Sequence, residues 1–105
     1  MSRCRKCAPV PEEVRRAAGL LERRWLLSIV YAAQEGAVRF NEFKYALGEQ
    51  IPPRTLAARL AELEEAGILE RRVIDARPPR VEYSLTDDGR RLTAVIDALR
   101  VYASR

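Results

Sequence analysis

Between residues 51 and 85 the hydrophobic pattern changes period. IPPRTLAARLAELEEAG places Leu56, Leu60 and Leu63 four and then three apart, the spacing that lines one face of a helix. Gly67 stops that helix. Ile68–Ile74 and Val81–Leu85 then read as two short strands around the turn Asp75–Arg80, which makes an antiparallel hairpin with a stiff tip at Pro78-Pro79. Upstream, Pro11 with Glu12 and Glu13 suits a helix start, followed by an apolar stripe of Val14, Ala17, Ala18 and Leu21 in which Gly19 predicts a bend. The run Trp25, Leu26, Leu27, Ile29, Val30, Ala33 is the densest in the chain and predicts the most buried helix, closed by Gly36. Val38–Phe40 reads as a very short edge strand. Asn41 then suits the N-cap of a short helix containing Phe43, Tyr45, Ala46 and Leu47, ended by Gly48. Thr86 with Asp87 and Asp88 caps a last helix, where Leu92, Val95, Ile96, Leu99 and Tyr102 form a stripe too regular for a solvent-facing tail. The expected fold class is mainly α with a small β-hairpin, ordered as a winged helix-turn-helix. Residues 1–10 form a flexible basic tail in this reading, and 11–105 one domain.

A short helix, a tight turn and a second helix with a basic start form a helix-turn-helix arrangement, here over residues 41–66, with Ile51 plugging the corner. With the three leucines facing inward, a rotation of about 100° per residue points Arg54 and Ala58 outward, Thr55 to the edge and Arg59 to the flank. A helix that enters a major groove presents its N-terminal residues to the base edges. Arg54 and Thr55 are therefore candidates for base contacts, and Arg59, Arg77 and Arg80 for phosphates. A core helix with solvated charges is the competing explanation of residues 52–66; the basic hairpin beside it favours DNA.

Composition alters this picture little. The 105 residues fit one domain, and no apolar run approaches the ~20 residues of a bilayer span. The basic N-terminus has no apolar stretch behind it, so no signal peptide is expected and the cytoplasm is the default. The net charge is +4, from 19 Lys and Arg against 15 Asp and Glu. Its distribution matters more than its size, because almost every cation is arginine, which forks onto phosphates and guanine edges. A genome biased toward arginine codons accounts for that preference as well. With no histidine, no glycine-rich phosphate loop and no carboxylate pair set in a cleft, neither enzyme activity nor a cofactor is expected.

The stretches RFNEFKYAL, PPRTLAARLAELEEAGILERRV and RPPRVEYSLTDDGRRL resemble the HxlR-type winged helix-turn-helix regulators, relatives of the MarR group, over about residues 11–103. The resemblance implies a dimeric transcription regulator of bacteria or archaea. It implies that the helix led by Pro53, Arg54 and Thr55 reads the major groove, that the wing touches the backbone, and that the first and last helices make the dimer. Val14, Leu92, Val95, Ile96, Leu99 and Tyr102 are then the expected dimer contacts, and a pseudo-palindromic duplex operator the expected partner, with no membrane involved. Trp25 matches the tryptophan the family places at the start of its second helix. Where the family usually has a glycine pair this chain has Glu22 and Arg23, so the first two helices are expected to run together. Many members carry a redox-sensing cysteine just upstream of the tryptophan; here Pro11 falls near that register.

The two cysteines, Cys4 and Cys7, form a C-x-x-C among Arg3, Arg5 and Lys6, cations that favour thiolates. Three readings stand: a redox switch, a metal site shared by two copies, or two unremarkable thiols. The competing class for the whole chain is a winged-helix protein-docking module whose basic faces are incidental.

Overall fold

In a computed structural model the chain is described over residues 8–104. Cys4, Cys7 and the basic residues of the proposed tail lie outside the described residues. The elements are α1 (Glu12–Leu21), α2 (Leu26–Gln34), α3 (Phe40–Leu47), α4 (Pro53–Glu65), β1 (Leu69–Ile74), β2 (Arg80–Leu85), α5 (Asp87–Arg90) and α6 (Thr93–Ala103). This is the mainly α, winged helix-turn-helix arrangement that the hydrophobic pattern predicts.

The core is built around α2, which buries Leu26, Ile29 and Val30 completely. Phe43 of α3, the leucines Leu56, Leu60 and Leu63 of α4, and Ile68 and Leu69 at the start of the hairpin close on it. Ile51 is buried in the corner between α3 and α4, as its place in the turn predicts. Gly48 ends α3 at φ 84, a left-handed conformation that a Cβ disfavours, so the chain turns sharply into the corner.

Several boundaries differ from the sequence reading, each for a local reason. Gly19 does not interrupt α1, which runs on to Leu21. The first two helices do not run together: residues 22–25 form a turn, with Trp25 at φ 79. Val38–Phe40 is not a strand, because one Glu42 carboxylate oxygen takes the backbone N–H groups of Val38 (2.8 Å) and Arg39 (2.9 Å). Those bonds start α3 at Phe40, so Arg39 rather than Asn41 is the N-cap. Arginine has no acceptor to return, and the cap is one-sided. The two N–H donors hold the Glu42 carboxyl below its ordinary pKa.

The last helix is also divided. The Thr86 hydroxyl accepts the Gly89 N–H (2.9 Å), as a cap should, but Arg91 and Leu92 donate three residues back, to Asp88 and Gly89, and the tightened turn separates α5 from α6. Gly89 packs directly on the hairpin entry. A Cβ added there would meet the Ile68 carbonyl oxygen at 2.2 Å. Gly89→Ala is therefore expected to destabilise the domain by about 1–3 kcal/mol, read as a lowered midpoint in urea unfolding.

The strands pair antiparallel from Leu69↔Leu85 to Ile74↔Arg80, so Arg80 belongs to the ladder rather than to the turn. Leu69, Tyr83 and Leu85 share one face, and the Tyr83 ring meets Phe43 edge-on with centroids 6.2 Å apart. The Tyr83 N–H donates to the Val38 carbonyl at 2.8 Å. Two contacts thus fasten the hairpin to α3 and its entry.

Candidate nucleic-acid interface

The exposed end of α4 is formed by Pro52 and Pro53. Pro52 adopts an extended ψ of 142° at the N-cap and Pro53 occupies the first helical position, where a missing N–H removes no helical bond. The first N–H bonded within the helix is that of Leu56, which donates to the Pro52 carbonyl at 3.0 Å. The N–H groups of Arg54 and Thr55 precede it and lack an intrahelical partner. No carboxylate lies in this first turn. Arg54 and Ala58 are exposed and Thr55 is half-buried, while Leu56 is fully buried beneath them. The Arg54 side chain makes no ion pair or hydrogen bond among the described residues. Two backbone donors, the positive end of a helix dipole and an exposed guanidinium therefore converge on one surface. Such a surface suits anions.

Arg59 departs from the sequence reading, which put it on phosphates. Its Nε donates to the Arg24 carbonyl (3.1 Å) and its Nη1 to Glu62 Oε2 (3.0 Å), and its side chain is only 19% exposed. The other Glu62 oxygen accepts from Arg23 Nη2 at 2.5 Å. The guanidinium is thus turned toward the turn between α1 and α2 rather than to solvent. This bridge also explains how Glu62 is tolerated near the negative end of the α4 dipole, where an acid is otherwise unfavourable.

On the hairpin, Glu70, Arg72, Glu82 and Arg80 share the face opposite Tyr83. Arg72 pairs with Glu70 (3.0 Å) and Arg80 with Glu82 (3.2 Å), and the ladder sets Arg72 across from Glu82. Their charges are compensated within the face. Arg77 is exposed in the loop and Arg71 in β1, and neither makes an ion pair among the described residues. Arg71 was visible in the sequence only as one of a basic cluster; its position across from Tyr83 comes from the register.

Of the stripe expected to meet a second copy, Ile96 is instead buried in the protomer's own core, and Leu92 is half-buried against it. The helical stripe of α6 faces two ways. Val95, Leu99 (43% exposed) and Tyr102 (78%) remain on the surface. So does Val14 (50%), and α1 as a whole buries no residue. The sequence also gave no sign of the open, mostly apolar cleft of about 570 Å³ between α2, α3 and α6, bordered by Trp25, Tyr31, Leu47, Leu99 and Arg100. Among the described residues no cluster of three or more metal-ligating side chains occurs, and no helix is long and apolar enough to cross a membrane.

A helix pair, a corner plug and an adjacent hairpin fastened to the first helix of the pair define a winged helix-turn-helix protein. The sequence model of the HxlR-like helix-turn-helix family matches residues 20–105. The chain belongs to that family, whose members are transcriptional regulators and not enzymes. It is 38% identical over 89 residues to the HTH-type transcriptional regulator YvaP of Bacillus subtilis (strain 168), covering 85% of this chain and 82% of that one. Among solved structures it resembles the reduced form of the transcriptional regulator YodB of B. subtilis, with a TM-score of 0.79, 34% identity, and 90% and 92% of the two chains covered. The redox regulator HypR in its oxidised form is similar as well, with a TM-score of 0.81, 34% identity, and 89% and 97% covered.

Proposed function

We propose that this regulator works as a cytoplasmic homodimer that binds a pseudo-palindromic operator. Each copy sets the start of α4 in a major groove and rests its wing on the neighbouring backbone. The observation that carries this reading is the start of α4: exposed, acid-free, with unbonded N–H groups and Arg54 projecting. Pro53, Arg54, Thr55 and Ala58 face the bases, Arg54 forking onto a guanine edge. Arg77 reaches phosphate, and Arg80 does so only by leaving Glu82. The apolar surface of α1 and α6 supports the dimer. Two copies joined there present their recognition helices roughly 34 Å apart, one turn of duplex.

Arg54→Ala is expected to weaken operator binding by about 1–3 kcal/mol and to change random-duplex binding much less. Fluorescence anisotropy on both DNAs checks this, and an equal loss on the two removes Arg54 from base recognition. Arg77→Ala should lower affinity on every sequence and make the log–log salt dependence shallower by about 0.9 per subunit. An unchanged slope would take the wing loop off the DNA.

Cys4 and Cys7 give the regulator a thiol response in this reading. The supports are the arginine- and lysine-rich surroundings of both thiols and the similarity to the redox regulator HypR. Mass measurement of the full chain before and after mild oxidant tests it: loss of two hydrogens or a cross-linked dimer is expected, and an unchanged thiol mass excludes it.

A further inference from the structure

Arg59 and Glu62 lie on the one recognition helix, yet each points back at the turn that joins α1 to α2. The Arg59 fork spans the Arg24 carbonyl and Glu62 Oε2, and Glu62 Oε1 holds Arg23. Three side chains and one carbonyl therefore link α4 to Arg23 and Arg24 of that turn, and within the turn Arg24 stacks its guanidinium on Trp25, 4.9 Å from the ring centroid. Trp25 in turn holds a left-handed backbone, φ 79, that non-glycine residues rarely adopt. A side chain this large stays there only when its surroundings over-determine it. Exposed or half-exposed ion pairs add little to stability, so the value of this cluster is geometric. Immediately before the turn runs α1, the helix with no buried residue of its own.

We propose that Arg59 and Glu62 are positioning residues: they lock the angle of the recognition helix to the α1–α2 turn, and through α1 to the partner copy, and thereby set which half-site spacing the dimer accepts. The inference rests on the homodimeric DNA-binding reading above. Neither residue needs to touch DNA. A rigid connection between dimer helix and recognition helix lets both recognition helices engage at one separation only. Loosening it leaves each helix able to read its own half-site but weakens simultaneous engagement.

The test uses full-length protein and three variants, Arg59→Lys, Arg59→Ala and Glu62→Ala, all at positions outside the buried core. Binding is measured by anisotropy on the operator, on a single half-site, on half-sites with altered spacers and across a salt series. Thermal melts confirm folding. Arg59→Lys keeps the charge but cannot form the fork, so it is expected to lose about tenfold or more on the correctly spaced operator, with half-site binding within about twofold of the native protein. Glu62→Ala is expected to weaken operator binding likewise, although it removes a negative charge. All three should tolerate altered spacers better than the native protein and keep its salt slope. The proposal is overturned if Arg59→Lys binds like the native chain while Arg59→Ala makes the slope shallower by about 0.9 per subunit, the mark of a phosphate contact. It is equally overturned if Glu62→Ala binds all DNA more tightly, the mark of a merely repelling acid, or if spacer preference is unchanged. A native protein with no operator preference would instead overturn the DNA-binding reading itself, and this inference with it.

Discussion

Val95→Glu with Leu99→Glu is expected to convert the protein to a monomer and to reduce operator affinity by about 100- to 10,000-fold. Both side chains reach the surface of α6 and neither belongs to the buried core. Tyr102 and Val14 extend the same kind of surface, and no residue of α1 is fully buried within the protomer, the Ala18 and Leu21 of its apolar stripe being half-buried. A carboxylate buried in an interface between two such helices has no partner there, and the cost of stripping its water opposes assembly. Once the copies separate, the second half-site is no longer presented at high effective concentration, which is where the affinity is lost. Sedimentation at micromolar concentration reads the first effect and anisotropy the second. A variant that sediments as the native chain does would remove α6 from the interface. Ile96 belongs to a different experiment, since it is buried in the protomer.

Phe43→Ala is expected to destabilise the domain by about 3–5 kcal/mol. Phe43 is completely buried, and its ring is where α3, the core and the wing meet, because Tyr83 packs against it edge-on. Truncation leaves a cavity that close-packed neighbours fill only partly. The wing should loosen as well, since the Tyr83 ring loses its support while the Tyr83 N–H bond to Val38 remains. Chemical unfolding followed by circular dichroism measures the loss; a change under 1 kcal/mol, well below the usual large-to-small cost, would contradict the packing described.

The helix-turn-helix and the hairpin were legible because local periodicity and tertiary burial agree there. Leu56, Leu60 and Leu63 face inward as their spacing demands, Ile51 fills the corner, and the hairpin pairs over nearly the expected residues. What the sequence hid involves partners distant along the chain. Arg59 looked like a flank cation because nothing local reveals that the Arg24 carbonyl and Arg23 come to meet it. Ile96 looked like an interface residue because a stripe on a helix does not say which body it faces. The Val38–Phe40 strand failed for a nearer reason: Glu42 turns back to take two N–H groups, and a β-propensity reading cannot outbid that capping bond. Trp25 gave no signal of its left-handed backbone, which belongs to the turn as a whole.

Repeated selection of bound sequences from a pool of random duplexes, using the full-length protein, tests most directly whether the start of α4 reads DNA. The expected result is enrichment of two inverted half-sites with centres about one helical turn apart, each containing a guanine whose enrichment disappears in Arg54→Ala. A pool that stays random after selection, or an enriched motif identical for the native protein and Arg54→Ala, would contradict it.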